Sequence, residues 1–265
     1  MKAMIFAAGL GTRLKPLTDT MPKALVPLAG KPLLQWQVEK LAAAGIKDIT
    51  VNVHHFADMI IDEVQKNNGW GADITISDER EMLLDTGGGV RKVVNAQCTM
   101  HDGASEHSGN EPLLLCNVDI LSNIAINKVV DAASRLSEQE SLLVVSERAT
   151  QRYLCFNEQE HLCGWTNIAT GELKGQDGRH LAYSGIAVLK PSLWPYLNTV
   201  AHEKGDKFGL MDLYLHIVAQ RAQSRSADSV PVLRAYIPKA YKMMDVGKIE
   251  QIETAEQFAR EMTNV

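Results

Sequence analysis

The sequence predicts an α/β protein with a mostly parallel, mixed central sheet, and three observations carry that expectation. Strand-length apolar runs alternate with amphipathic, helix-length stretches from Ala3 to Ser146, giving the order β, α, β, α, β, α, β, α, β. Two glycine-rich segments, Gly9–Arg13 and Thr86–Gly89, sit where such a sheet turns the chain from strand to helix. After Ser146 the alternation gives way to paired β segments around the polar Asn157–Glu160, the pattern of an antiparallel hairpin.

Taken in order, Ala3–Ala8 is one buried strand, too short to cross a membrane. Pro32–Ala44 has proline in its first turn, apolar residues at helical spacing and Gly45 beyond its end, so it reads as a helix. Asp48–Val53 is a β-branched strand, Ala57–Asn67 an amphipathic helix and Ala72–Ser77 a strand. Thr86–Gly89 then reads as a second glycine turn, opening a helix over Val90–Ala96. Thr99–Pro112 is nearly devoid of apolar residues and reads as a surface loop, the sequence leaving open whether it moves as a lid. Leu113–Val118 is a fully buried strand ending at Asp119, followed by helix Ile126–Leu136 and strand Ser141–Ser146. Arg152–Phe156 pairs with His161–Thr166, and Gly171–Gly178 is a polar loop. Strands over Ala182–Leu189, Val230–Ile237 and Ala240–Asp245, and helices over Pro191–Leu197, Asp212–Gln223 and Lys248–Met262, complete the chain.

The 265 residues, 45% hydrophobic and 22% charged, have the balance of a soluble globular protein with a sizeable core. A net charge of −5 argues against a general nucleic-acid binder. Four cysteines (Cys98, Cys116, Cys155, Cys163) lie at no metal-site spacing and read as reduced thiols of a cytoplasmic protein. No signal peptide or membrane-spanning stretch is evident, so no membrane partner is expected. The four tryptophans are scattered and read as packing residues, and His54-His55 as loop residues rather than zinc ligands.

Against that acidic background, Met1–Lys31 holds five basic residues and one acidic residue, Asp19. A strand emptying into a glycine turn with focused positive charge suits a phosphate-bearing ligand, because backbone N–H groups approach phosphate only where side chains are absent. The turn is not the dinucleotide fingerprint, since Leu14 stands where a third glycine is needed, and no Gly-Lys-Ser/Thr makes it a P-loop. Arg13 directly after the turn and Lys23 ten residues on could contact different phosphates of a triphosphate. A solvated surface pair is the competing explanation on spacing alone. Asp119 and Asp245 each end an apolar strand, the position where open sheets bind ligands. Mg²⁺ is held by one or two carboxylates with phosphate oxygens, although either aspartate taken alone reads more readily as a helix cap or turn residue.

Together these residues resemble the sugar-phosphate nucleotidyltransferases, the nucleoside-diphosphate-sugar pyrophosphorylases. The family's strand followed by Ala-Ala-Gly-x-Gly-Thr-Arg, Pro-Lys and Gly-Lys-Pro is met by Ala7–Arg13, Pro22-Lys23 and Gly30-Lys31-Pro32. The similarity continues in Thr86–Gly89, Asn117-Val118-Asp119, Tyr183–Ile186 and Met244–Gly247, with Val118 where the family often has glycine. A Glu-Lys-Pro found in many relatives before the sugar site is absent around Gly171–Gly178. Length and the Leu84–Gly89 motif look most like the N-acetylmuramate-1-phosphate uridylyltransferases, with single-domain mannose-1-phosphate guanylyltransferases similar.

The resemblance implies a Rossmann-like, three-layer fold in one domain, residues 1–265, with a nucleotide-binding half about 1–120 and a sugar-phosphate half about 121–265. It implies attack of a sugar 1-phosphate on the α-phosphorus of a nucleoside triphosphate, UTP or alternatively GTP, with release of pyrophosphate. Ala8, Gly9, Gly11, Thr12, Arg13, Lys23 and Gly88 would bind nucleotide, and Arg13 and Lys23 would be catalytic. Asp119 and Asp245 would hold Mg²⁺, and Asn117, Ser184 and Gly185 would meet ribose or sugar. A monomer or small homo-oligomer is expected. A non-catalytic sugar-nucleotide-sensing subunit is the alternative of another class, disfavoured because Arg13, Lys23, Asp119 and Asp245 are all present.

Overall fold

The computed structural model describes residues 1–99, 111–224, 226 and 229–263. Strand β1 (Lys2–Phe6) leads through three short 3₁₀ turns to β2 (Pro27–Leu28), β3 (Lys31–Pro32) and helix α1 (Leu33–Ala43). Then follow β4 (Asp48–Val53), α2 (Ala57–Lys66), β5 (Asp73–Asp78), α3 (Asp85–Thr99), β6 (Leu113–Asn117), β7 (Ile120–Ser122) and α4 (Ile126–Ser134). The second half runs β8 (Glu140–Ser146), β9 (Arg152–Phe156), β10 (Leu162–Asn167), β11 (Glu172–Gly175), β12 (Arg179–Leu189), α5 (Trp194–Lys204), α6 (Leu210–Gln223), β13 (Val232–Tyr236), β14 (Met243–Asp245) and α7 (Ile252–Thr263). The expected α/β class with a mixed sheet is what forms. The surface loop expected over Thr99–Pro112 lies, apart from its ends, outside the described residues.

The elements gather into two compact units. The first comprises Met1–Leu83, Leu114–Ile126 and Ala240–Val265, and the second Leu84–Leu113 and Asn127–Lys239. The division is therefore not a single cut near residue 120, because β14 returns to pair antiparallel with β7, Asp245 opposite Ile120. In the first unit the strands neighbour one another in the order β6, β1, β4, β5, with β1–β4 and β4–β5 parallel. Met4, Ile5, Ile49, Val51, Leu114 and Leu115 are fully buried, as near-continuous apolar strands require when both faces are covered. Helix α1 buries Leu34, Val38 and Leu41, and also directs Gln37 Nε2 to the Ile120 carbonyl (2.7 Å) and Lys40 Nζ to the Ser122 carbonyl (2.7 Å).

In the second unit β12 pairs antiparallel with β8 and β9, β9 with β10 and β10 with β11, while β13 runs parallel to β8. The hairpin read from the sequence is present, and the polar 171–178 stretch contributes the exposed strand β11.

One expectation fails in an informative way. Thr86–Gly89 is not a turn before a helix; it is the first turn of α3, which begins at Asp85. Three glycines in a helix cost stability relative to alanine. Here a Cβ on Gly87 would lie 2.5 Å from the Phe208 ring, and one on Gly88 would strike the Asp206 carbonyl. The N–H groups of Gly87 and Gly88 donate to the Phe208 carbonyl at 2.9 and 3.0 Å, so close packing replaces a side-chain cap.

Candidate active site

The strand β1 delivers the chain to Ala7, where a buried polar clamp takes hold. Asn52, 3% exposed on β4, accepts the N–H of Ala7 (2.8 Å) and of Ala8 (3.3 Å) on its Oδ1. Its Nδ2 donates to Glu79 Oε1 at 2.9 Å, and Glu79 is only 2% exposed, just past β5. The turn is thereby tied to the ends of two neighbouring parallel strands. Neither Asn52 nor Glu79 is singled out by the sequence: Asn52 sits in the alternating run Asp48–Val53, and its meeting with Glu79 depends on β4–β5 pairing.

Beyond the clamp, nothing lies within 4 Å of where a Cβ on Gly9 would stand. Gly11 has φ +64°, and a Cβ there would come within 2.9 Å of the Thr18 methyl and 3.1 Å of Lys23 Cβ. Only glycine suits that conformation and that approach. The Gly11 carbonyl accepts the Thr18 hydroxyl (2.9 Å) and the Leu14 N–H (2.8 Å), folding the loop back on itself. Among the described residues, the N–H groups of Leu10, Gly11, Thr12 and Arg13 meet no acceptor. Such a run of unused donors is what an anion-binding nest presents. Thr12 and Arg13 are exposed.

Lys23, 8% exposed, is aimed inward, and its ammonium contacts Asp119 Oδ2. Asp119 follows β6, held against the end of β1 by the bond from Val118 N–H to the Phe6 carbonyl (3.3 Å). The Asp119 carbonyl accepts the Val246 N–H (2.8 Å), so β7–β14 pairing sets Asp245 beside Asp119. Asn123 pins the returning segment by accepting the Lys242 N–H (2.8 Å) and donating to the Ala240 carbonyl (3.0 Å). A Cβ on Gly247 would stand 2.5 Å from Asp245 Oδ1 and 2.9 Å from Arg13 Nη2. Thus Arg13 and Asp245 flank one glycine. Lys23 with Asp119, and Arg13 with Asp245 about Gly247, are thereby brought onto hydrogen-bonded neighbouring segments of the first unit, and Asn117, half-buried at the end of β6, stands two residues before Asp119. Asp119 and Asp245, on segments joined by the Val246–Asp119 hydrogen bond, are hard oxygen donors of the type a divalent cation takes.

Lys40 ties α1 to β7 through the Ser122 carbonyl and hydroxyl, each at 2.7 Å. Burial pulls its ammonium down to about 8, the nearby Cys116 thiol acting in the opposite sense. Cys116 is itself pushed up to about 12, chiefly by burial.

Of the remaining sequence candidates, Ala8 lies in the first unit and Gly88, Ser184 and Gly185 in the second. The Gly88 N–H donates to the Phe208 carbonyl at 3.0 Å, so a nucleotide contact from Gly88 would have to use its other backbone atoms. The Ala8 N–H is likewise taken by Asn52, which leaves its carbonyl. Ser184 is 0% exposed and its hydroxyl is sealed away, so the sugar contact expected of it cannot come from its side chain. With Gly185 (φ +69°) it forms a bulge on β12, where the register against β8 shifts between Tyr183 and Ala187. The half-buried residue at the bulge is Tyr183.

The chain is similar to several known proteins. The family described as nucleotidyl transferase matches residues 2–157. An N-acetylmuramate alpha-1-phosphate uridylyltransferase from Caulobacter vibrioides is 31% identical over 223 residues, covering 82% of this chain and 84% of its own. A mannose-1-phosphate guanyltransferase from Yarrowia lipolytica is 30% identical over 154 residues, 58% of this chain and 40% of its own. The fold is shared with a UDP-glucose pyrophosphorylase at a TM-score of 0.71 and 18% identity, covering 99% of each chain.

Proposed function

The chain belongs to the nucleotidyl transferase family and is a sugar-1-phosphate nucleotidyltransferase, and on that premise we propose that it transfers uridylyl from UTP to N-acetylmuramate 1-phosphate. The observation that carries the reading is the convergence of Arg13, Lys23, Asp119 and Asp245 beside the clamped Gly9–Arg13 loop. A sugar phosphate is already ionised at neutral pH, so the reaction needs positioning and charge neutralisation rather than a general base. A phosphate oxygen of the sugar 1-phosphate attacks the nucleotide α-phosphorus in line, and pyrophosphate leaves with its electron pair.

In this reading the N–H groups of Leu10 to Arg13 receive the triphosphate oxygens, and Arg13 neutralises the departing pyrophosphate. Lys23, held by Asp119 in the structure, stabilises charge at the α-phosphate, and Gly9 and the Ala8 carbonyl lie against the base. Asp119 and Asp245 would hold Mg²⁺, which when bound adds charge neutralisation on the phosphates. The choice of UTP and of a muramate sugar rests on the Caulobacter vibrioides relative, whose match spans most of both chains.

Pyrophosphate release measured over four nucleoside triphosphates and several sugar 1-phosphates tests the proposal. The largest kcat/KM is expected for UTP with N-acetylmuramate 1-phosphate. A maximum at GTP with mannose 1-phosphate would replace the substrate pair. Release from no pair would favour the non-catalytic sensing alternative.

A further inference from the structure

The second unit holds a cavity of ≈ 340 Å³, walled by Arg148, Arg152, Tyr153, Trp165, Tyr183 and Met211. That volume is at the lower end for small-molecule sites, and aromatic walls with a few fixed polar groups are their usual lining. Here the polar lining residues are Thr150, Tyr153, Tyr183 and two arginines, the arginines alone carrying charge. Arg148 Nη2 donates to the Tyr183 carbonyl at 3.0 Å, which leaves the rest of its five donors. Among the described residues, no carboxylate lies within ion-pair distance of either arginine. The adjacent Glu147 is held by Arg179 at 2.5 Å. Lys174 stands 5.3 Å over the Trp165 ring and pairs with Glu172 at 3.2 Å. The segment carrying both arginines is tied down where the Thr150 N–H donates to the Tyr153 hydroxyl (3.0 Å). Tyr183 immediately precedes the Ser184–Gly185 bulge, a device that re-aims side chains beside binding sites.

We propose that this cavity takes the sugar and that Arg148 and Arg152 read a carboxylate on it. The inference rests on the sugar 1-phosphate reading above and adds the residues that choose among sugars. A planar guanidinium matches a carboxylate through two parallel N–H···O bonds, and aromatic faces cover the apolar face of a pyranose. N-acetylmuramate differs from N-acetylglucosamine by a lactyl ether whose carboxyl group is ionised at neutral pH. The two 1-phosphates are otherwise alike, so their comparison separates recognition of the carboxylate from recognition of the phosphate.

The test compares kcat/KM with UTP for N-acetylmuramate 1-phosphate and N-acetylglucosamine 1-phosphate in the wild type, Arg148→Gln and Arg152→Gln. The wild type should prefer the muramate, and each substitution should lower the ratio of the two values about tenfold, the loss expected for one charged hydrogen-bonding partner. Equal falls for both sugars would assign the arginines to the phosphate or the fold and overturn the proposal, as would a wild type without preference. Calorimetric binding of N-acetylmuramate 1-phosphate without nucleotide separates this inference from the reaction. Arginine-dependent binding with no turnover on any nucleotide would sink the uridylyl reading and keep the cavity. Turnover with binding indifferent to both substitutions would sink the cavity alone.

Discussion

Gly247→Ala is the sharpest probe of the site, because the structure states what the added methyl group meets. The glycine is buried and its φ lies outside the left-handed region, so an alanine backbone is unstrained there. The new Cβ would stand 2.5 Å from Asp245 Oδ1, 2.9 Å from Arg13 Nη2 and 3.2 Å from Arg13 Cζ. Ordinary contact needs about 3.5 Å or more, so the carboxylate or the guanidinium must retreat by roughly 1 Å. Both are ends of rotatable side chains, and the fold can yield at little cost; loss of glycine freedom in the unfolded chain adds about 0.4–1 kcal/mol of stability in return. A misplacement of that size at reacting phosphates costs on the order of 10²-fold in rate. The expected outcome is a kcat/KM for pyrophosphate release about a hundredfold lower, with a urea unfolding midpoint near that of the wild type. Near-normal turnover in a folded Gly247→Ala would show that Arg13 and Asp245 do not act where they stand. A large fall in the midpoint would show that they serve the fold.

Lys23→Met should lower kcat by about 10²-fold, the loss seen when one preorganised charge is removed from a transition state. Pairing it with Asp119→Asn should restore stability lost through the orphaned carboxylate but leave turnover low; recovery of turnover would make Lys23 structural. Asp245→Asn should raise the Mg²⁺ concentration needed for half-maximal activity, and an unchanged metal titration would remove Asp245 from the ligand set. Asn52→Ala strips the acceptor from two N–H groups and the donor from a buried carboxylate, so about 2–4 kcal/mol should be lost in urea melts; a loss under 1 kcal/mol would refute the clamp. Lys40, depressed to about 8 by burial, binds fewer protons folded than unfolded between about pH 8 and 10.5. Stability therefore rises with pH across that window, and the wild type should gain about 2 kcal/mol on Lys40→Met between pH 7 and 9.5. Equal pH dependence in the two proteins would place the Lys40 ammonium in water.

The strand-then-glycine opening, the basic residues around it and the strand-end aspartates were all legible in the chain, because each depends on local pattern: apolar runs, glycine freedom, charge next to a turn. The clamp was not. Asn52 and Glu79 are unremarkable polar residues until β4 and β5 lie side by side, and no period in the sequence marks a hydrogen bond between strands. Thr86–Gly89 misled for a related reason. Glycine clusters ordinarily break helices, and only the approach of Asp206–Gly209 explains why a helix must begin with them.

What the sequence determined by itself, then, was a set of groups: an α/β chain, a cationic glycine loop, and two carboxylates each with a bland alternative as a cap. What the tertiary structure decided was their company. Antiparallel pairing of Ile120–Ser122 with Met243–Asp245 places Asp245 beside Asp119, and burial turns Lys23 inward upon it. Long-range strand pairing is set by the packing of the whole unit, which no local stretch of residues encodes.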